Sequence, residues 1–198
     1  MKYTILAFCI WVLSSCSEND KKSEPVAIPA PAEATIDTAE NYFPVTTYIK
    51  GQIAEIRERG LNPLMIVTEN GRSDSTWLRV EDLQTQFAPF LTPVIDTANF
   101  KSFFKESKFE DQSINTYTWS YEPYNTLPDS ISLKRWDVYV NPETSKVTRV
   151  YWMKENDNKT QEQLIWNSGA SCKIIQLHEQ NGNAVVDKEI IIKWDFNE

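Results

Sequence analysis

Three cysteines and one histidine in 198 residues leave this chain few reactive side chains. Cys9 lies inside an apolar N-terminal run and Cys16 at its end, so Cys172 is alone in the body. One cysteine builds neither a disulfide framework nor a cysteine-based metal site. Clustered positive charge is missing too: the formal charge is −8, and removing residues 1–15, which hold Lys2 and no acid, leaves −9. Such a surface repels a phosphate backbone, which argues against nucleic acid as a partner. No cofactor motif stands out. What is abundant is apolar and aromatic residue, 41% and 12% of the chain, enough for one compact domain rather than a disordered one.

A hydrophobic run long enough to cross a membrane is also lacking. Residues 5–13 are nine consecutive apolar residues, about 14 Å as a helix and about half a bilayer core. With Lys2 before them and Ser14 and Ser15 after, they have the three parts of a secretory signal. The stretch "LSSC" at 13–16 resembles the lipobox of bacterial lipoprotein precursors. The resemblance covers about the first 20 residues and implies that Cys16 is acylated and becomes the mature N-terminus. Several acyl chains on one cysteine hold a protein stably at a bilayer, whereas one chain does so marginally. The implied location is a bacterial cell envelope, most simply the outer membrane, facing periplasm or cell surface.

Residues 16–40 read as the lipidated cysteine and a tether. "SENDKK" is charged, and Pro25, Pro29 and Pro31 favour extended polyproline II. Fully extended at ~3.1 Å per residue, the tether reaches about 70 Å. Acidic residues just after the cysteine also resemble export signals of surface lipoproteins in some Gram-negative bacteria.

The folded domain is expected over 41–198. Val45, Ile49, Ile53 and Ile56 recur at three- and four-residue steps, predicting a helix with Pro44 at its start and Gly60 at its end. Residues 63–67 and 75–80 flank Asn70-Gly71, a hairpin signal with a long loop. Val80, Leu83 and Phe87 predict a second helix. Phe100, Phe103 and Phe104 predict a third, capped by Asp96.

From Ser113 the period becomes two, predicting six strands at 114–122, 131–140, 146–156, 160–168, 171–180 and 184–196. Turn chemistry fixes the expected registers. Gly169 in a two-residue type II′ turn pairs Leu164 with Ile175. Asn181-Gly182 in a type I′ turn pairs Lys173 with Ile190. A three-residue loop at 157–159 pairs Trp152 with Leu164 and Lys154 with Glu162. A five-residue loop at 141–145 pairs Trp136 with Val150 and Asp137 with Arg149. One face then gathers Trp136, Trp152, Leu164, Trp166, Ile175, Leu177 and Trp194; the other gathers Arg135, Asp137, Arg149, His178, Asp187 and Glu189 among others. Lys173 and Lys188 are exceptions on the apolar side. The expected class is α+β, with N-terminal helices packed on one face of a roughly six-stranded antiparallel meander.

Chemical sites are weighed on this frame. Cys172 and His178 lie six residues apart on one strand, about 20 Å, too far for a nucleophile and its base. Ser168 and Ser171 flank a hairpin glycine rather than a nucleophile elbow. Asp187, Glu189 and Asp195 are spaced along a strand instead of converging, and residues 155–159 lack the glycine and ligand count of a calcium loop. Arg135, Asp137, Arg149 and Glu189 share a face and form the candidate contact cluster, for an anion or a carbohydrate. The expectation is a lipid-anchored envelope protein with a non-catalytic binding or scaffolding domain, its partner an envelope protein, a lipid or a glycan. Two alternatives stay open: a carrier or sensor of an apolar small molecule held between helices and sheet, and a hydrolase of envelope polymers using Asp187 or Glu189.

Overall fold

The computed structural model describes residues 42–95, 100–111, 113, 115–156 and 160–196. The signal segment, Cys16, the tether, Asp96 and the loop 157–159 lie outside them.

Helix α1 runs Val45–Glu58 and buries Val45, Ile49, Ile53 and Ile56, the stripe that the spacing predicts. Its end is set by backbone chemistry. Gly60 takes φ +62, Leu61 N–H donates to Ile56 O at 3.1 Å and Gly60 N–H to Arg57 O at 3.0 Å. These two bonds are a Schellman closure, which satisfies carbonyls the helix leaves orphaned.

Strands β1 (Leu64–Glu69) and β2 (Arg72–Trp77) follow. Asn70 and Gly71 both have positive φ, so they form a tight two-residue turn, not the long loop expected. The second predicted helix is broken into single turns: a 3-10 turn Val80–Asp82, α2 (Leu83–Gln86) and α3 (Ala88–Leu91). The third gives way to strand β3 (Phe104–Asp111). Six more strands complete the domain: β4 (Thr116–Pro123), β5 (Leu133–Val140), β6 (Val147–Glu155), β7 (Thr160–Asn167), β8 (Ser171–Gln180) and β9 (Asn183–Lys193).

All nine strands join one antiparallel sheet in the order β2-β1-β9-β8-β7-β6-β5-β4-β3. The meander is therefore longer than the six strands expected, extended by β3 at one edge and by the β1–β2 hairpin, which pairs with β9, at the other. In place of a helical layer the described chain has one 14-residue helix and three single turns.

Of the four expected registers one holds throughout, one holds only beside its turn, and two do not hold. Trp152 pairs with Leu164 and Lys154 with Glu162. Between β7 and β8 the loop has three residues, so Leu164 meets Ile174 and Trp166 meets Cys172. Ala170 N–H closes on Asn167 O, placing Gly169 (φ +77) third in its four-residue turn, a type II position instead of the type II′ one expected. That one-residue slip exchanges the faces of β8. Cys172 and Ile174 are buried inward, whereas Ile175 and Leu177 point to the opposite side. Lys173 moves outward with them, so its apparent anomaly disappears. Between β8 and β9 the expected register holds next to the turn, where Leu177 meets Val186; one extra residue at Asp187 then shifts the rest, and Lys173 pairs with Ile191. Between β5 and β6 the partner of Trp136 is Trp152 and that of Asp137 is Tyr151, a two-residue shift that preserves the faces.

The core is a continuous array of rings on one side of the sheet. Trp136, Trp152, Trp166, Tyr121, Phe87, Phe90 and Phe104 are each less than 2% exposed. Tyr121 stacks on Trp136 at 4.5 Å with 8° between planes, and Phe90 meets Trp152 and Trp166 edge-on at 5.6 and 5.2 Å. The bonds from α1–α3 to the sheet end on this side or at a turn. Lys154 Nζ donates to Pro89 O at 2.5 Å, Tyr48 OH to Ser168 Oγ at 2.7 Å, and Gly169 N–H to Gln52 Oε1 at 3.0 Å.

Candidate functional site: the opposite face of the sheet

Because paired residues on adjacent strands share a face, the registers give the second face of the sheet row by row. One row runs Ser120–Asp137–Tyr151–Ile165–Lys173–Ile191–Ile66 across β4, β5, β6, β7, β8, β9 and β1. The row on one side of it runs Tyr139–Arg149–Asn167–Ser171–Lys193 from β5 to β9. The row on the other runs Arg135–Met153–Gln163–Ile175–Glu189. A solvated face of an antiparallel sheet ordinarily reads polar. This one carries four isoleucines, Met153 and two tyrosines, all intermediate between buried and exposed, and Leu177, 9% exposed and outside the aromatic core cluster.

Its charges are fixed in place. Arg135 Nε donates to both carboxylate oxygens of Asp137 at 3.1 Å, and a second guanidinium nitrogen reaches Glu122 at 3.1 Å. Burial opposes the Arg135 charge, but the carboxylates of Asp137 and Glu122 outweigh it and raise its pKa. Asp137, expected on a solvated face, is only 3% exposed. Beside it, the hydroxyls of Thr118 and Ser120 on the same face of β4 are buried without hydrogen-bond partners.

Of the four residues in the expected contact cluster, Arg135 and Asp137 touch. Arg149 instead lies over the Tyr139 ring at 3.9 Å. A loop one residue longer than expected and an extra residue on β6 opposite Tyr139/Val140 together shift the register by two, so that Arg149 pairs with Tyr139 and Asp137 with Tyr151. Glu189 pairs with Lys173 at 3.0 Å, four strands from Arg135. The cluster is thus two separate ion pairs with an apolar band between them. Sequence reasoning missed that band because it assigned Ile175 and Leu177 to the core.

The other candidates are placed as follows. Cys172 is 1% exposed, and burial holds its thiol pKa well above the ordinary value. His178, on the same strand, hydrogen-bonds Asp187 Oδ1 through Nδ1 at 2.7 Å; the extra residue in β9 brings that pair together. Ser168 accepts the Tyr48 hydroxyl, and Ser171 accepts from Asn167 Nδ2 at 3.1 Å. Asp187 and Glu189 both line a recess of about 310 Å³ with Thr68, Asn70, Gly71 and Val186. Each carboxylate there already has a partner, His178 or Lys173. A second recess of about 300 Å³ opens between α1 and the helical turns, floored by Ile53 and Leu91 and flanked by Lys50 and Arg57. Among the described residues no three His, Cys, Asp or Glu side chains gather as metal ligands would, and no helix is long and apolar enough to cross a membrane.

No protein-family model matches the chain, and neither a curated protein nor a solved structure does.

Proposed function

We propose that this protein is a lipid-anchored component of a bacterial cell envelope, most simply of its outer membrane, whose domain binds or scaffolds another envelope component without catalysis. In this reading Cys16 carries the acyl chains, residues 16–40 give reach, and the sheet gives recognition. The observation that carries the binding role is the second face of the sheet. It joins an apolar band, Ile66, Ile165, Ile175 and Ile191, to held ion pairs, Arg135–Asp137 and Lys173–Glu189. Apolar centres with charged surroundings are how proteins meet partners. The other face favours a core over a ligand chamber, since its centre is filled by packed rings. The charged side chains of the second face engage one another, which suits recognition better than acid–base work.

The anchor is tested by expressing the full precursor with labelled fatty acid. Cys16→Ala abolishes incorporation and releases the protein from the membrane fraction; unchanged attachment of the variant would refute the anchored reading.

A further inference from the structure

We infer that the second face of the sheet is a two-fold interface with a second copy of this chain. The inference rests on the binding role proposed above and names the partner.

The rows of that face are self-complementary about β7, the middle strand of the nine. A two-fold axis parallel to β7, midway between two stacked sheets, sets β5 over β9 of the second copy, β6 over β8, and β7 over β7. Row by row, Arg135 then faces Glu189 of the second copy and Met153 faces Ile175. Tyr151 faces Lys173, Tyr139 faces Lys193, and Ile165 meets its own equivalent on the axis. Lys173 and Lys193 are thereby each set opposite a tyrosine ring, and Glu189 opposite Arg135.

Within one chain Arg135 and Glu189 are separated by four strand spacings, about 19 Å, so no intrachain contact accounts for them as a pair. Stacked sheets cross at about 30°. At roughly 10 Å from the axis that rotation displaces opposing residues by about 5 Å, within reach of an arginine side chain.

Charge and area point the same way. The chain is at −8 overall, yet the five central strands of this face carry Arg135, Arg149, Lys173 and Lys193 against Asp137, Glu155, Glu179 and Glu189, four of each sign. The general repulsion between two acidic copies is therefore absent at this face. Five strands at ~4.8 Å by about seven residues at ~3.4 Å give roughly 570 Å² per copy, about 1,100 Å² together, just above the ~1,000 Å² that a specific interface needs.

The test is a charge exchange in the full-length acylated protein, extracted in mild detergent, with the dimer dissociation constant read by analytical ultracentrifugation. Arg135→Glu and Glu189→Arg each weaken the dimer by about ten-fold or more, and the double variant restores it to within about three-fold of wild type. Since the two residues are too far apart to rescue each other within a chain, restoration requires the second copy. A second readout needs no charge change. Ile165→Cys, on the axis, forms a homodimer with a short bismaleimide in intact membranes, while Glu58→Cys on α1 does not; Cys172 is buried and Cys16 acylated. A monomeric wild type, a double variant no better than the singles, or an Ile165→Cys adduct to a different protein would each overturn the inference. An acylated, membrane-bound protein that stays monomeric defeats the dimer and leaves the anchored reading standing; an unacylated protein defeats the latter.

Discussion

Truncating Trp166 measures whether the interior is a packed core or a chamber. Trp166 is fully buried and meets Phe87 and Phe90 at 5.2 Å and Trp194 at 5.0 Å. If those rings fill the space, Trp166→Ala leaves a cavity that its rigid neighbours cannot collapse, costing about 3–5 kcal/mol. At about 2–4 °C per kcal/mol for a domain of this size, the melting temperature falls by roughly 6–20 °C. Trp166→Phe separates packing from polarity. The Trp166 indole N–H is buried with no acceptor, and an orphaned donor costs about 1–3 kcal/mol. Phenylalanine loses part of the ring contact but removes that penalty, so the net cost should be about 1.5 kcal/mol or less. Trp77, 61% exposed at the sheet edge, is the control, with Trp77→Ala costing about 0.5 kcal/mol. Urea unfolding followed by far-UV circular dichroism reads all three. A Trp166→Ala cost no larger than the Trp77→Ala cost would refute the packed interior and revive the carrier of an apolar ligand.

Gly169→Val should destabilise the domain by about 1–2 kcal/mol, because φ is +77 there and no neighbour lies within 4 Å of an added Cβ, so the whole cost is backbone strain; an unchanged urea midpoint would contradict the turn. Alkaline pH should weaken the fold through Cys172 and Tyr121. Burial raises both pKa values, so the unfolded chain ionises first and stability is lost as pH rises above about 8.5–9 for the thiol and 10 for the phenol. Cys172→Val should flatten the loss between pH 8.5 and 10, and an identical slope in the variant would count against the burial argument. Lys154, whose pKa burial lowers against the pull of Glu162, acts in the opposite sense: its charge penalty is present at neutral pH and relieved on deprotonation. Lys154→Met should therefore remove a rising contribution in alkaline titrations of stability, and steeper alkaline loss than wild type is the expected sign.

The parts of the fold legible in the sequence are those where one local signal decides. Helix α1 has its stripe and its closing glycine, and β4 to β9 have alternation bounded by turns. What failed was counting. A three-residue turn at 168–170 and an extra residue at Asp187 are invisible in residue types, yet each moves a register by one. The first alone sent Ile175 and Leu177 to the wrong face and hid the apolar band. Strand β3 was missed for a different reason: as an edge strand only Phe104 is buried while Phe109 is half exposed, so "FKESKFED" shows no apolar alternation, and the upstream phenylalanines mimic a helix face. Arg135 and Asp137 were legible as sharing a face, because residues two apart on a strand do so whatever the register, although the partner expected for Asp137 was Arg149. Arg149 and Glu189 were not, since their partners depend on loop length.

The intact mass of the mature protein, extracted gently from membranes of a lipoprotein-processing bacterial host and measured by native mass spectrometry, tests the central claim most directly. The account predicts a chain beginning at Cys16 with the added mass of its acyl chains, and no further small molecule released on activation. A chain that retains residues 1–15, or a mature chain without lipid, would contradict the anchor, and an apolar ligand released from the domain would contradict the filled interior on which the binding role rests.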